Sequence, residues 1–370
     1  MPSPLRSPRA AAGQLASLGR VAARAAVRYR VNPAAVVRRA RTVRAEGGYE
    51  YDEALAAGLL DTREPLDGRH VGTSKHVTLL AQREINPESL AALTEEKAIF
   101  YRLLEAYDLP APALHAVIAR SGGWARGRGV IADRDAFAAW LPGVPGDIVV
   151  KPSAGVHGRG VRVLRRDGDL LRDLGVQGGD VTPAELHDAM VGDPEFPVWV
   201  IQERVRNAPE VARLGSADIL QTARVVTVVH PDGTVSVVQC ILKVAAGGGA
   251  IDNYRGGATG NGIVWVAPDG TLGPVRSLRP DGHGHRTTPD LPATGQRVQG
   301  EVLPRWDEAL DLARRAAELF LPARSIGWDI ALTPDGPMII EGNMWWDPPG
   351  TPDQAIALER LARPTAAPSR

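Results

Sequence analysis

Three acceptor side chains, Asp329, Glu341 and Asn343, sit inside the otherwise apolar stretch IGWDIALTPDGPMIIEGNM. The stretch reads as two strands around a turn, with Pro334-Asp335-Gly336 as a three-residue loop and glycine where φ > 0 is needed. Thr333 then faces Pro337, and counting back sets Asp329 opposite Glu341. Side chains alternate along a strand, so Asn343 shares their face while Trp328, Ile330, Met338 and Ile340 point away. Opposed carboxylates lie roughly 5 Å apart and repel. A hard divalent cation compensates best, because Mg²⁺ takes carboxylate oxygens together with substrate phosphates. On this reading, removing the Glu341 charge without metal relieves repulsion and costs no stability. A solvated hairpin face, or a register one residue off, would need no metal at all.

A second stretch could hold the phosphates. IVVKPSAGVHGRGVRVL is a strand, a glycine-rich bend and another strand, with Lys151 at the strand end and Gly155, Gly158 and Gly160 in the bend. Backbone N–H groups in such a bend can wrap phosphate oxygens, and the ammonium adds charge. No G-K-[ST] follows, so it is not a Walker A loop. A strand rather than a helix comes next, so it is not a dinucleotide fingerprint. A glycine-rich hairpin closing over phosphates, as in kinases, is the nearer mechanical analogy. An ordinary mobile hairpin would carry the same glycines.

The elements around these residues follow from hydrophobic period. From about 49 to 120 the pattern is mainly helical, in EYDEALAAGLLD and ESLAALTEEKAIFYRLLEAYDLPAPAL. From 147 to 275 it switches to strands: DIVVKPS, VRVLRR, VWVIQERV, TARVVTVV, VSVVQCILKV and GIVWVA. WDEALDLARRAAELF predicts a helix before the final hairpin, and the polar, Gly/Pro-rich run 277–300 predicts a long loop. The Arg/Ala-rich start of the chain is nearly free of acid and predicts a peripheral helical extension. At 370 residues there is room for two or three domains. Lys+Arg and Asp+Glu both total 43, so no global field points to nucleic acid. No apolar run reaches the roughly 20 residues that span a bilayer. The one cysteine, Cys240, reads as an inert core thiol and fits a reducing, cytoplasmic setting. His283 and His285 lack a cysteine partner and read as solvated loop histidines.

Taken together, the order of these motifs resembles the ATP-grasp superfamily, and most closely its sugar-transfer-associated branch. The matching pieces run from about Leu93 to Asn343: TEEKAIFYRLLEAYDLPAP, VVKPSAGVHGRGV, WVIQERV, QTARVVTV, KVAAGGGAIDNYRGGATG and GWDIALTPDGPMIIEGN. The resemblance implies an α+β chain with two α/β subdomains gripping ATP and a helical N-terminal region. The segments would be a helical or disordered extension (1–48), a mainly helical lead-in (49–145), a small subdomain with the lid (146–206), a metal-bearing subdomain (207–362) and a tail (363–370).

It also implies roles. Lys97 and Lys151 would contact ATP phosphates, with Lys151 near the adenine as well, and Gly155, Gly158 and Gly160 would form the lid. Gln202, Glu203 and Val205 would be the adenine hinge, and Glu210 a candidate ribose ligand. Asp329, Glu341 and Asn343 would hold two Mg²⁺ ions. Arg224 would neutralise a transferred phosphoryl group, although the family's Asn-Thr-x-Arg reads Gln221-Thr222-Ala223-Arg224 here. Lys243 and the pair Asp252-Asn253 would face the second substrate. Solvent-exposed strand residues and an Asx-turn are the alternative reading of these last positions. The implied activity is ligation of a small-molecule or glycan-linked carboxylate to an amine through an acyl phosphate. Phosphoryl transfer to a hydroxyl, or a nucleotide-binding scaffold without turnover, remains open at this point.

Overall fold

The structure is a computed structural model. It describes residues 8–66, 74–155, 158–175, 179–247, 252–254, 258–280, 282 and 285–347, so His283 and the expected tail 363–370 lie outside it. Two compact units emerge. One comprises the described residues 8–66, 74–85, 278–280, 282, 285–286 and 347; the other comprises those within 86–277 and 287–346.

The first unit is helical, with α1 (Pro8–Tyr29), α2 (Pro33–Gly47), α3 (Tyr51–Ala56) and α4 (Lys75–Ile85). Asn32 caps α2 by accepting from the Ala34 N–H, and Gly48 closes it at φ +70°. Leu18, Val21, Ala25 and Tyr29 of α1 share a core with Val36 and Val43 of α2 and with Tyr51, Leu55 and Leu60. The basic extension expected to end at residue 48 therefore shares its core with α3 and Leu60. Apolar side chains at helical spacing gave α1 and α2 a face to bury, and α3 supplies part of the surface that covers it.

The second unit carries α5 (Ala92–Glu95), α6 (Lys97–Ala106), β1 (Leu114–Ala119), β2 (Gly122–Ala125), β3 (Gly129–Ile131), α7 (Arg134–Trp140), β4 (Ile148–Pro152), β5 (Arg162–Asp167) and β6 (Leu170–Asp173). Then come α8 (Pro183–Gly192), β7 (Val198–Glu203), α9 (Pro209–Ala212), β8 (Ala223–Val229), β9 (Val235–Val244), β10 (Gly262–Val266) and β11 (Leu272–Leu278). The chain continues through β12 (His285–Thr288), α10 (Trp306–Leu319), β13 (Ser325–Thr333) and β14 (Gly336–Asn343). Two seven-stranded sheets result, ordered β3-β2-β1-β7-β4-β5-β6 and β12-β11-β10-β9-β8-β13-β14.

The strands expected from 147 to 275 form where the alternation places them, and α10 covers 306–319. Several stretches differ, among them α8 and α9, helices that lie inside the region read as strands. Residues 114–131, inside the segment read as mainly helical, form β1–β3. Runs this short fit a strand or a buried helix equally well until their neighbours are known. The run 277–300, read as a loop, contains β12.

Sheet A, the one containing β4, packs on α7 and α8 through Phe137, Leu186 and Met190. Sheet B, the one containing β13, packs on α10 and α6 through Trp328, Phe320 and Phe100. Phe320 and Trp328 meet edge-on with ring centroids 5.1 Å apart. No helix of the described residues is long and apolar enough to cross a membrane.

Candidate active site

The β13–β14 hairpin places the acids by a route different from the one counted. Thr333 faces Gly336 rather than Pro337, so the loop has two residues, and Ile330 faces Ile339. A bulge at Ile340 then absorbs one residue and brings Asp329 back opposite Glu341. The expected pair is present. The bulge also shifts which residues point away: Ile339 is the fully buried one, and Met338 and Ile340 are half-buried.

On its other side Asp329 pairs with Arg224 of β8. A single rung across three strands therefore reads Arg224, Asp329, Glu341. Arg224 donates to both Asp329 oxygens at 2.8 Å. Lys243 Nζ donates to Asp329 Oδ2 at 2.9 Å and lies 3.8 Å from Asp252. Asn343 Nδ2 stands 3.4 Å from both Asp329 Oδ2 and the Gly327 carbonyl. Gly327 is needed here, since a Cβ would come within 2.9 Å of Trp346 and 3.4 Å of Arg224 Cδ.

Glu341 is matched separately. Lys97 Nζ lies 2.9 Å from Glu341 Oε1 and donates to the Gly155 carbonyl at 3.0 Å. One ammonium thus joins the acidic hairpin to the glycine-rich bend. Lys97 opens α6, and Ser153, just after β4, secures that opening. The Lys97 N–H donates to Ser153 O, the Ala98 N–H to Ser153 Oγ, and Ser153 Oγ to Glu96 Oε2. Gly158 and Gly160 both take positive φ, and a Cβ on Gly160 would meet Pro152 and Trp199 at 3.0–3.1 Å. Lys151, at the end of β4, donates to the Tyr101 hydroxyl at 2.9 Å, with its Nζ 4.9 Å from the ring centroid.

The compensation assigned to a metal is therefore supplied by three side chains. Burial works against ionisation of Asp329, but Arg224 and Lys243 outweigh it and hold the carboxyl far below its usual range. Glu341 is likewise held low: burial and Asp329 oppose ionisation, and Lys97 with Lys151 overcomes them. Lys151 moves the other way. Burial, helped by Lys97 and opposed by Glu341, lowers its ammonium to about 7. Asp252 is pushed up by burial despite Lys243, and it accepts from the Thr222 N–H and hydroxyl at 2.7 and 2.6 Å.

Lys97, Lys151, Gly155, Arg224, Lys243, Asp329, Glu341 and Asn343 thus form one connected group. Gln202 lies beside Tyr101, whose hydroxyl pKa it lowers against the larger effect of burial, and its buried Oε1 has no partner among the described residues. Glu203 continues β7, where its N–H donates to the Ala113 carbonyl at 3.0 Å. Val205 follows it outside the strand. Glu210 stands exposed on α9, and no contact among the described residues links it to the group. His285 is half-buried at the start of β12.

Two members went unread in the sequence. Tyr101 lies four residues after Lys97 on α6, a spacing that puts both on one helix face. Glu95 is raised in pKa by burial and by Glu341, with Lys97 and Arg224 opposing, which places its carboxylate in the same field.

A family model described as sugar-transfer associated ATP-grasp matches residues 80–356. No curated protein matches the chain. Among solved structures, the chain is similar to biotin carboxylase from Campylobacter jejuni, at 13% identity and TM-score 0.41, over 75% of this chain and 48% of that one. It is similar to phosphoribosylamine–glycine ligase from Thermotoga maritima, at 13% identity and TM-score 0.39, over 69% and 49%. It is similar to L-amino acid ligase from Bacillus licheniformis, at 14% identity and TM-score 0.37, over 70% and 42%. The chain spans about half the length of these structures or less. With three quarters of its length matched by one family model, the chain belongs to the sugar-transfer-associated ATP-grasp family.

Proposed function

We propose that the chain is an ATP- and Mg²⁺-dependent ligase that joins a carboxylate to an amine. The observation that carries this reading is the linked group on the hairpin. Asp329 and Glu341 are each held by a basic side chain, and Lys97 also reaches the glycine-rich bend. Lys151 would meet nucleotide phosphate oxygens, as would Arg224, Lys243 and Lys97, the three that now hold the carboxylates. When phosphates enter, these cations have a second anionic partner, and the two carboxylates are freed from their present ones.

The oxygen donors of Asp329, Glu341 and Asn343 suit a hard cation. Among the described residues no three His, Cys, Asp or Glu side chains surround a common point, so the amide of Asn343 completes the set. Two Mg²⁺ ions held there would neutralise charge on the transferred phosphoryl group. The unpartnered Oε1 of Gln202 supports a nucleotide base nearby, since it is a buried acceptor open to a ligand N–H. Gly155, Gly158 and Gly160 would cover the phosphates, Glu203 and Val205 would offer backbone groups to the adenine, and Glu210 would reach the ribose.

In the reaction, a carboxylate oxygen attacks the γ-phosphorus and ADP leaves. The amine nitrogen then attacks the acyl carbon, phosphate leaves, and the nitrogen loses a proton. Arg224 and Lys243 would hold the charge on the transferred group. Positioning and charge neutralisation suffice, so no nucleophilic side chain is required. The family's description supports a glycan-linked acid or amine, as in modification of a cell-surface polysaccharide. A screen of carboxylates against amines, read by ADP release and product mass, tests the reading. ADP formation with a carboxylate and no amine requirement, or with hydroxyl acceptors alone, would overturn it.

A further inference from the structure

Tyr101 occupies a position that none of these roles explains. Its ring is buried on α6, 2% exposed, and packs edge-on against Phe100 with centroids 5.7 Å apart. Its hydroxyl lies between the two sheets. On one side it accepts from Lys151 Nζ at 2.9 Å, from β4 of sheet A. On the other it donates to the carbonyl of Ile340, on β14 of sheet B.

Ile340 is the extra residue of the bulge that restores Asp329 to its place opposite Glu341. A bulged residue is left out of the regular ladder, which leaves its carbonyl available to an outside donor. A phenol has one proton to give, and here Ile340 receives it. The oxygen is then left as acceptor for the lysine. Burial raises the Tyr101 hydroxyl well above its ordinary range, which keeps that proton on the oxygen. An ammonium has three donors, and the acceptor that Lys151 finds among the described residues is Tyr101. The remaining donors are left for a ligand.

We infer that Tyr101 is a positioning residue for Lys151, its hydroxyl fixing the ammonium at the phosphate position by anchoring it to the bulge beside Glu341. The inference rests on the assignment of Lys151 to nucleotide phosphates. It makes a phenol on a helix the link by which the lysine of one sheet follows the register of the acids on the other.

A double-mutant cycle on the full chain tests it, with a non-hydrolysable ATP analogue as the calorimetric probe. Tyr101→Phe keeps the ring and removes only the hydroxyl; a thermal melt checks its fold. It is expected to weaken analogue binding about tenfold, the order of one hydrogen bond to a charged group. In a Lys151→Ala background the same change should cost less than about twofold, because its route of action is gone. An equal loss in both backgrounds would show that Tyr101 acts on the fold alone and would overturn the inference. So would unchanged affinity in Tyr101→Phe. Should Tyr101→Phe not fold, trifluorotyrosine at position 101 retains the hydroxyl as a poorer acceptor and should also weaken binding; unchanged affinity there overturns the inference. If Lys151→Ala alone binds the analogue as tightly as the parent, the nucleotide role of the lysine fails first, and the inference with it.

Discussion

Two regions of this chain are rich in basic side chains, and they treat charge in opposite ways. On the β8–β13–β14 rung, Arg224, Lys243 and Lys97 each lie 2.8–2.9 Å from a carboxylate oxygen. On α1 and α2, Arg20, Arg28, Arg38 and Arg41 are exposed and make no ion pair among the described residues. The difference is the solvent. A buried charge without a partner is costly, whereas an exposed arginine is stabilised by water and gains at most about 1 kcal/mol from a surface partner. α1 and α2 also carry ion pairs, Arg24–Asp52 and Arg44–Glu50, but their carboxylates stand in water, whereas on the rung Asp329 is buried and its match is required.

The largest effect should come from breaking the match. Glu341→Gln is expected to lower ATP turnover at least about a hundredfold, the scale of losing one strong electrostatic stabiliser. Opposed carboxylates alone would make this variant neutral or stabilising without metal. Lys97 reverses that expectation, because the change leaves a buried ammonium without its carboxylate. Asp329→Asn goes further, stranding Arg224 and Lys243 together, and should cost about 3–5 kcal/mol in denaturant unfolding. A Glu341→Gln protein that is more stable without Mg²⁺ would show that repulsion dominates after all.

Proton linkage sharpens the comparison at intermediate size. Lys151 titrates at about 7 in the folded chain, through burial and Lys97, with Glu341 opposing. An unfolded lysine titrates near about 10.4. Between those values the unfolded chain holds a proton that the folded one has lost, so this group makes stability rise with pH across that window. Nucleotide phosphates favour the charged form, so binding at about pH 8 should take up a proton and weaken as pH rises. Calorimetry in buffers of different ionisation enthalpy measures the uptake, and none at that pH would contradict a buried lysine in the site.

The smallest effect belongs to the other region. Arg20→Gln combined with Arg28→Gln should change stability by no more than about 0.5 kcal/mol per position and leave turnover unaltered. A turnover loss in this variant would mean that the helical unit contributes to the reaction.

How much of this was legible depended on whether the information was local. β9 spans Val235–Val244, the run its alternation marks out, and Asp329 faces Glu341 as counted. The turn, though, is one residue shorter than Pro334-Asp335-Gly336 suggests, and the bulge makes up the difference, a cancellation that no local pattern encodes. The Arg224–Asp329 neighbourhood joins residues 105 apart, and strand order in a sheet cannot be read from either strand. Tyr101 was legible in principle, four residues from Lys97. It looked like one more apolar position on α6 because its hydroxyl partners come from two other elements. Ser153 was hidden for the same reason, capping a helix that begins far from it in sequence.

That cap has a consequence for the order in which the molecule comes together. The first turn of a helix has backbone N–H groups with no partner inside the helix. In α6 two of them, on Lys97 and Ala98, are satisfied by Ser153, more than fifty residues away. A local cap could act as soon as the helix forms; this one must wait for β4 to arrive, and closing a long loop comes at an entropic cost before any contact rewards it. The start of α6 is therefore free to fray until sheet A has assembled beside it. Lys97, its first residue, gains a fixed direction only then, so a chain stalled before that step would hold both acids and the glycine-rich bend yet have nothing to join them.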